Sequence, residues 1–120
     1  MPASYKIAAA RGLVFTTGSG VLTDDDCYGH VAALSTDPLF NPSMDQLADL
    51  TQVTEVRLTA SAIHRMAERN PFGEGSRRAF VVSDDVAFGM ARMYEILTSD
   101  HAHDVTVFRD LAKARAWLGL

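Results

Sequence analysis

The segment that most restricts the fold is Arg78-Ala79-Phe80-Val81-Val82-Ser83, followed at once by Asp84-Asp85 and then by the apolar stretch from Val86 to Thr98. β-Branched and aromatic residues predict a strand in the first part. The two aspartates supply an N-cap for a helix in the second, which only Arg92 and Glu95 interrupt as charges. A strand that feeds directly into such a helix is half of a crossover. It needs a parallel neighbour, reached in the right-handed sense.

The rest of the chain supplies the neighbours. Ser4 to Ala10 and Leu13 to Thr17, separated by Arg11-Gly12, predict a β-hairpin, and Gly18-Ser19-Gly20 ends or bends its second strand. Thr23 and Asp24-Asp25-Asp26 open a helix that Asp37-Pro38 stops. Met44 to Leu50 reads as a third strand and Thr51 to Leu58 as a connection. Thr59 or Ser61 then caps a helix running to Arg69. Asn70 to Gly75 is a Pro- and Gly-rich loop. Val105 to Phe108 predicts a last strand. Asp110 begins a last helix with Leu111, Ala114, Trp117 and Leu118 on one face. The order is β-β-α-β-α-β-α-β-α: an α/β fold over residues 1–120 as one domain, with a mixed, mostly parallel sheet, an antiparallel N-terminal hairpin and about four packed helices.

With 48% hydrophobic and 22% charged residues in 120 positions, the chain has the composition of an ordinary globular protein. Its net charge of -4 offers no cationic surface for a nucleic-acid backbone. The single cysteine, Cys27, makes no internal disulfide, and neither an export signal nor a run long enough to span a membrane stands out, so a cytoplasmic location without membrane insertion is expected.

Several residues carry chemistry in principle. The run Asp24-Asp25-Asp26 has the oxygens for a hard cation, but a helix N-terminus accounts for all three. His101 and His103 in Asp100-His101-Ala102-His103-Asp104 are a weak metal candidate, since residues two apart on extended chain share a side and nothing elsewhere completes the ligand set. Ser61 and His64 are three apart on a helix, as a hydrolytic pair would be, but the sharp Gly-x-Ser-x-Gly turn is missing. Cys27, early in a helix, could have its thiol pKa lowered by the dipole; an inert, half-buried thiol is the plainer expectation. The helix from Val86 says more. Val86, Met90, Met93 and Leu97 form one apolar stripe, while Phe88, Ala91, Tyr94 and Ile96 lie off it, so one sheet face cannot bury them all. The surplus is explained by a helix wedged between neighbours, by a homodimer interface, or by a Met-lined apolar pocket.

The stretches Gly20-Val21-Leu22-Thr23-Asp24-Asp25-Asp26, Asp49-Leu50-Thr51-Gln52-Val53, Arg78 to Asp84, Met90-Ala91-Arg92-Met93-Tyr94 and Phe108 to Leu118 together resemble the SpoIIAA-like branch of the STAS (anti-sigma-factor antagonist) domains, across nearly the whole chain. The resemblance implies a STAS-like mixed sheet used for protein-protein regulation. In anti-sigma antagonists a serine of an Asp-Ser-Ser-Gly turn is phosphorylated by a partner kinase, and Arg57-Leu58-Thr59-Ala60 falls over that turn. The acidic residue, the first serine and the glycine are absent, which leaves Thr59 as the phospho-acceptor candidate or as an unmodified cap. Members of the branch have also been likened to CRAL-TRIO lipid carriers.

The expectation is therefore a regulatory or scaffolding interaction module without catalytic activity or cofactor. It would form a homodimer through the 86–98 helix and meet a regulatory protein partner around Arg57, Thr59 and Ser61. The alternative is a carrier or sensor of a small apolar, lipid-like molecule held by the helix bearing Phe88, Met90, Met93, Tyr94 and Leu97.

Overall fold

The structure, a computed structural model, describes residues 3–99 and 104–120. Strand β1 (Ala3–Ala8) runs through a 3₁₀ turn (Ala9–Arg11) into β2 (Leu13–Thr23), antiparallel, with Ile7 opposite Val14. Gly12 takes the left-handed conformation (φ 60°) that closes this hairpin. Then follow α1 (Asp24–Ser35), β3 (Asp45–Arg57), α2 (Ala60–Glu68), β4 (Arg77–Val81), α3 (Asp85–Ser99), β5 (Asp104–Phe108) and α4 (Leu111–Trp117). The fold is α/β. The five strands lie side by side in chain order, β2 to β5 all parallel.

The helix starts follow from local side chains. Thr23 and Asp26 form a reciprocal capping box: the Asp26 amide donates to Thr23 Oγ1 (3.3 Å) and the Thr23 amide to Asp26 Oδ2 (2.9 Å). Thr59 Oγ1 accepts from the Ala62 amide, Asp84 Oδ1 from the Ala87 amide, and Asp110 Oδ1 from the amides of Ala112 and Lys113. Each satisfies amides that the first helical turn leaves without partners.

Topology then decides which face each helix covers. Every step from β2 to β5 moves one place in the same direction, so right-handed crossovers put α1, α2 and α3 on one face of the sheet. Helix α4 follows the last strand and covers the other. There Leu47, Ala79 and Val81 pack with Ala114 and Leu118, flanked by Phe15, Phe108 and Trp117. Of the face anticipated for α4, only Leu111 turns outward, 39% exposed. On the three-helix face Val14, Leu34, Met44 and Phe72 form a second cluster with Tyr5, Ile7 and Phe40.

Two strand boundaries differ from expectation. Gly18-Ser19-Gly20 bends β2 and does not end it: the strand continues to Thr23 through two register shifts, and Gly20 (φ 65°) accommodates the second. The segment from Thr51 to Arg57, expected as a connection, is the second half of β3. Pairing with β4 stops at Asp49, and beyond it β3 pairs with β2 alone. Its exposed Gln52, Thr54 and Glu55 explain why the apolar alternation lapses there.

The core predicts a contrast between two leucines five residues apart, one at the end of α1 inside the core and one in the loop beyond it. Leu34→Ala, at 1% exposure, is expected to cost about 3 kcal/mol. Leu39→Ala, at 60% exposure, is expected to stay within about 0.5 kcal/mol of wild type. Urea unfolding followed by Trp117 fluorescence checks both.

Candidate functional site

Between the sheet and the three helices lies a half-open cavity of about 140 Å³. Its walls are Leu22, Ala48, Val53 and Phe80 from the strands, Cys27, Val31 and Leu34 from α1, Ile63 and Met66 from α2, and Ala87, Met90, Ala91 and Tyr94 from α3. The lining is almost wholly apolar. One polar row crosses it.

That row is built by the parallel register. Gln46 of β3 stands beside Arg78 of β4, and Thr16 of β2 lies one strand further on. All three are buried and line the cavity, at the inward positions of a period-two pattern. Arg78 Nε donates to Gln46 Oε1 (3.0 Å), and Gln46 Nε2 donates to Thr16 Oγ1 (2.9 Å). Thr16 Oγ1 lies 3.0 Å from His30 Nε2 on α1. At the other end Arg78 Nη1 donates to the Tyr94 hydroxyl on α3 (2.8 Å). Gln46 donates to Thr16, and among the described residues His30 Nε2 is the acceptor within reach of the Thr16 proton, so Nε2 is assigned as the acceptor and the imidazole proton to Nδ1.

Electrostatics agrees with that polarity. Burial, and secondarily the positive charge of Arg78, push the His30 pKa from 6.5 down to about 4, so the ring is neutral near pH 7. It packs edge-on against Tyr5 at 5.5 Å. Arg78, 5% exposed, lies over the rings of Phe72 (4.3 Å), Tyr94 (5.3 Å) and Phe80 (5.4 Å). Burial, reinforced by Asp26 and Asp24, pushes the Cys27 thiol up to about 12. The helix dipole does not activate it, and it is an apolar wall rather than a nucleophile.

Of the residues singled out in the sequence, the structure brings Met90 and Tyr94 to this cavity. Phe88 lies on α3 beneath the guanidinium of Arg109 (4.3 Å), while Met93 and Leu97 are half-buried away from the lining. The surplus apolar surface of α3 is thus shared among the cavity, α2 and β5, against both of which the helix packs. Val86 (61%) and Ile96 (58%) stay exposed, so Val86 leaves the stripe expected for it.

Arg57, Thr59 and Ser61 are exposed at the start of α2, with Arg57 paired to Glu55. Thr59 is tied to α1: its amide and hydroxyl donate to the Asp24 carboxylate (3.0 and 2.9 Å) while Oγ1 accepts from Ala62. A phosphate on Thr59 would break that arrangement and stand beside a carboxylate. Asp24 and Asp26 therefore serve as helix-end ligands of the chain itself. Ser61 and His64 are both exposed, and among the described residues no hydrogen bond joins them. His101 and His103 lie outside the described residues; among the described ones no group of three His, Cys, Asp or Glu is placed to hold a metal. Nor, among them, is any helix long and apolar enough to cross a membrane.

No family model and no curated protein matches the chain. Among solved structures, an uncharacterised protein of the DUF3478 family from Shewanella loihica PV-4, described as having a SpoIIAA-like fold, matches with a TM-score of 0.62 over 97% of this chain and 93% of that one. The fold is SpoIIAA-like. At 18% identity the likeness lies in the arrangement of strands and helices, which is the arrangement the resemblance implied.

Thr16, His30, Gln46 and Arg78 escaped notice as site residues. The available signal was a polar side chain at an inward position of an otherwise apolar strand, repeated on three neighbouring strands.

The lowered pKa of His30 fixes the sign of a pH effect. The unfolded chain protonates this ring near 6.5 and the folded protein only near 4, so the associated stability is full above 6.5 and is lost as pH falls toward 4. At about 1.4 kcal/mol per pKa unit the loss is about 3 kcal/mol. His30→Gln lacks this dependence. Urea unfolding at pH 7.5 and pH 4 should show the stability gap between wild type and variant narrowing by that amount; parallel curves would refute it.

Proposed function

We propose that this protein works by binding a small molecule with an apolar body in the cavity beneath α1, α2 and α3, as a carrier or sensor, and not by catalysis. The observation that carries the proposal is a void with apolar walls crossed by one hydrogen-bonded polar row, the usual composition of a ligand site. A void of roughly 150 Å³ with such walls accepts a benzene ring, and about 140 Å³ sets the same scale here. The occupant is therefore a single ring or a short chain, not a whole lipid. In a regulatory module of this fold such a ligand would bias how α1, α2 and α3 sit on the sheet, and so what their outer surfaces present.

Toluene is a suitable probe. It should raise the melting temperature with increasing concentration, as any ligand selective for the folded state does, and should move the methyl resonances of Ile63, Met66 and Met90. In Ala91→Leu, which fills the cavity, both effects should shrink severalfold. Unchanged Ile63, Met66 and Met90 resonances in wild type at saturating toluene would refute the proposal.

A second reading, pairing of two copies across the outer side of α3, is favoured by the exposure of Val86 and Ile96. Light scattering coupled to size exclusion tests it: the wild type should be a dimer and Ile96→Glu a folded monomer. A monomeric wild type at the highest accessible concentration would remove it.

A further inference from the structure

We infer that the cavity selects a small carboxylic acid in its ionised form, with the carboxylate on the guanidinium of Arg78 and the apolar body against Met66, Met90 and Ala91. This deepens the ligand-binding reading and rests on it.

Among the described residues Arg78 is a charge without a counter-charge. The ion pairs among the described residues are Arg57 with Glu55, Arg92 with Glu95 and Arg109 with Asp85, each of which includes an arginine about half exposed or more. Arg78, by contrast, is 5% exposed, and its contacts are a neutral amide, a neutral hydroxyl and three aromatic rings. Those groups hold the guanidinium in place without cancelling its charge. Its Nη2 takes no hydrogen bond among the described residues and is not sealed in the interior, so it opens onto the cavity that Arg78 lines and is free to take an acceptor there. A planar oxyanion brought into the void would take the place of solvent at Nη2 and supply the missing charge, in the forked geometry arginine favours.

The charge class follows from counting cations. The nearest second cation in the row would be His30, and it is neutral at pH 7. A single guanidinium balances a monoanion, whereas a phosphate dianion would leave an uncompensated charge among apolar walls. The void has room for a ring or short chain behind the head group. A small aromatic or short aliphatic monocarboxylate fits both limits.

Isothermal titration at pH 7 with benzoate, benzamide and toluene tests this. Benzoate should bind at least tenfold more tightly than benzamide. Arg78→Met should abolish that preference, and so should Gln46→Glu, which replaces the amide with an internal carboxylate at nearly unchanged volume and so keeps the test open should Arg78→Met fail to fold. Toluene should bind wild type and Gln46→Glu alike. If toluene binds but benzoate has no advantage over benzamide, or keeps its advantage in Gln46→Glu, the carboxylate inference is overturned and ligand binding stands. If none of the three binds wild type, both fail.

Discussion

The cavity side of the sheet is organised around one buried guanidinium. An unpaired charge in an apolar interior is costly, and an arginine cannot relieve the cost by losing its proton. Arg78 is tolerated because β3 presents Gln46 beside it and α3 presents the Tyr94 hydroxyl to it. Gln46 in turn needs an acceptor for its amide protons, and finds Thr16, which needs an acceptor for its own proton and finds His30. One charge on β4 thus accounts for polar residues on two further strands and two helices. It also constrains α1 and α3, since moving either one leaves a buried donor or acceptor unmatched.

Helix α3 shows how such constraints share out surface that the sequence leaves unassigned. Ala87, Met90, Ala91 and Tyr94 lie at i, i+3, i+4 and i+7 and face the cavity. Thr98, fully buried, continues the same face and returns its hydroxyl to the carbonyls of Tyr94 and Glu95. Toward β5, Glu95 accepts from the Val107 amide, giving a backbone donor of the last strand a partner on the helix. Arg109 then covers Phe88 and pairs with Asp85. An apolar helix that looked too hydrophobic for one sheet face is in fact contacted on several sides.

What could be read in the sequence was what local chemistry dictates. Thr23, Thr59, Asp84 and Asp110 act as caps because an oxygen just ahead of a helix has the free amides of the first turn within reach, whatever the rest of the chain does. The apolar strand at Arg78 and the helix after it gave the crossover, and the crossover gave the parallel sheet. The far half of β3 was not legible because it is held by β2 alone and keeps polar side chains in water, which removes the apolar alternation. The polar row was hidden for a different reason. Thr16, His30, Gln46, Arg78 and Tyr94 come from five separate elements, and only register brings them together. Tyr94 counted as an apolar residue of a helix stripe, while its hydroxyl is one end of the row.

The choice of Gln46 bears on what the cavity can select. A glutamate there would have nearly the same shape, could accept from Arg78, and would neutralise it, leaving a cavity suited to uncharged molecules. With glutamine the same hydrogen bond is made and the charge persists. His30 contributes by staying neutral: were it protonated at pH 7, Thr16 could no longer donate to it and a second positive charge would enter the same row. The amide and the suppressed imidazole therefore act in one direction. They hold the row at a single positive charge above about pH 4, which is the charge the inferred monoanion would complement.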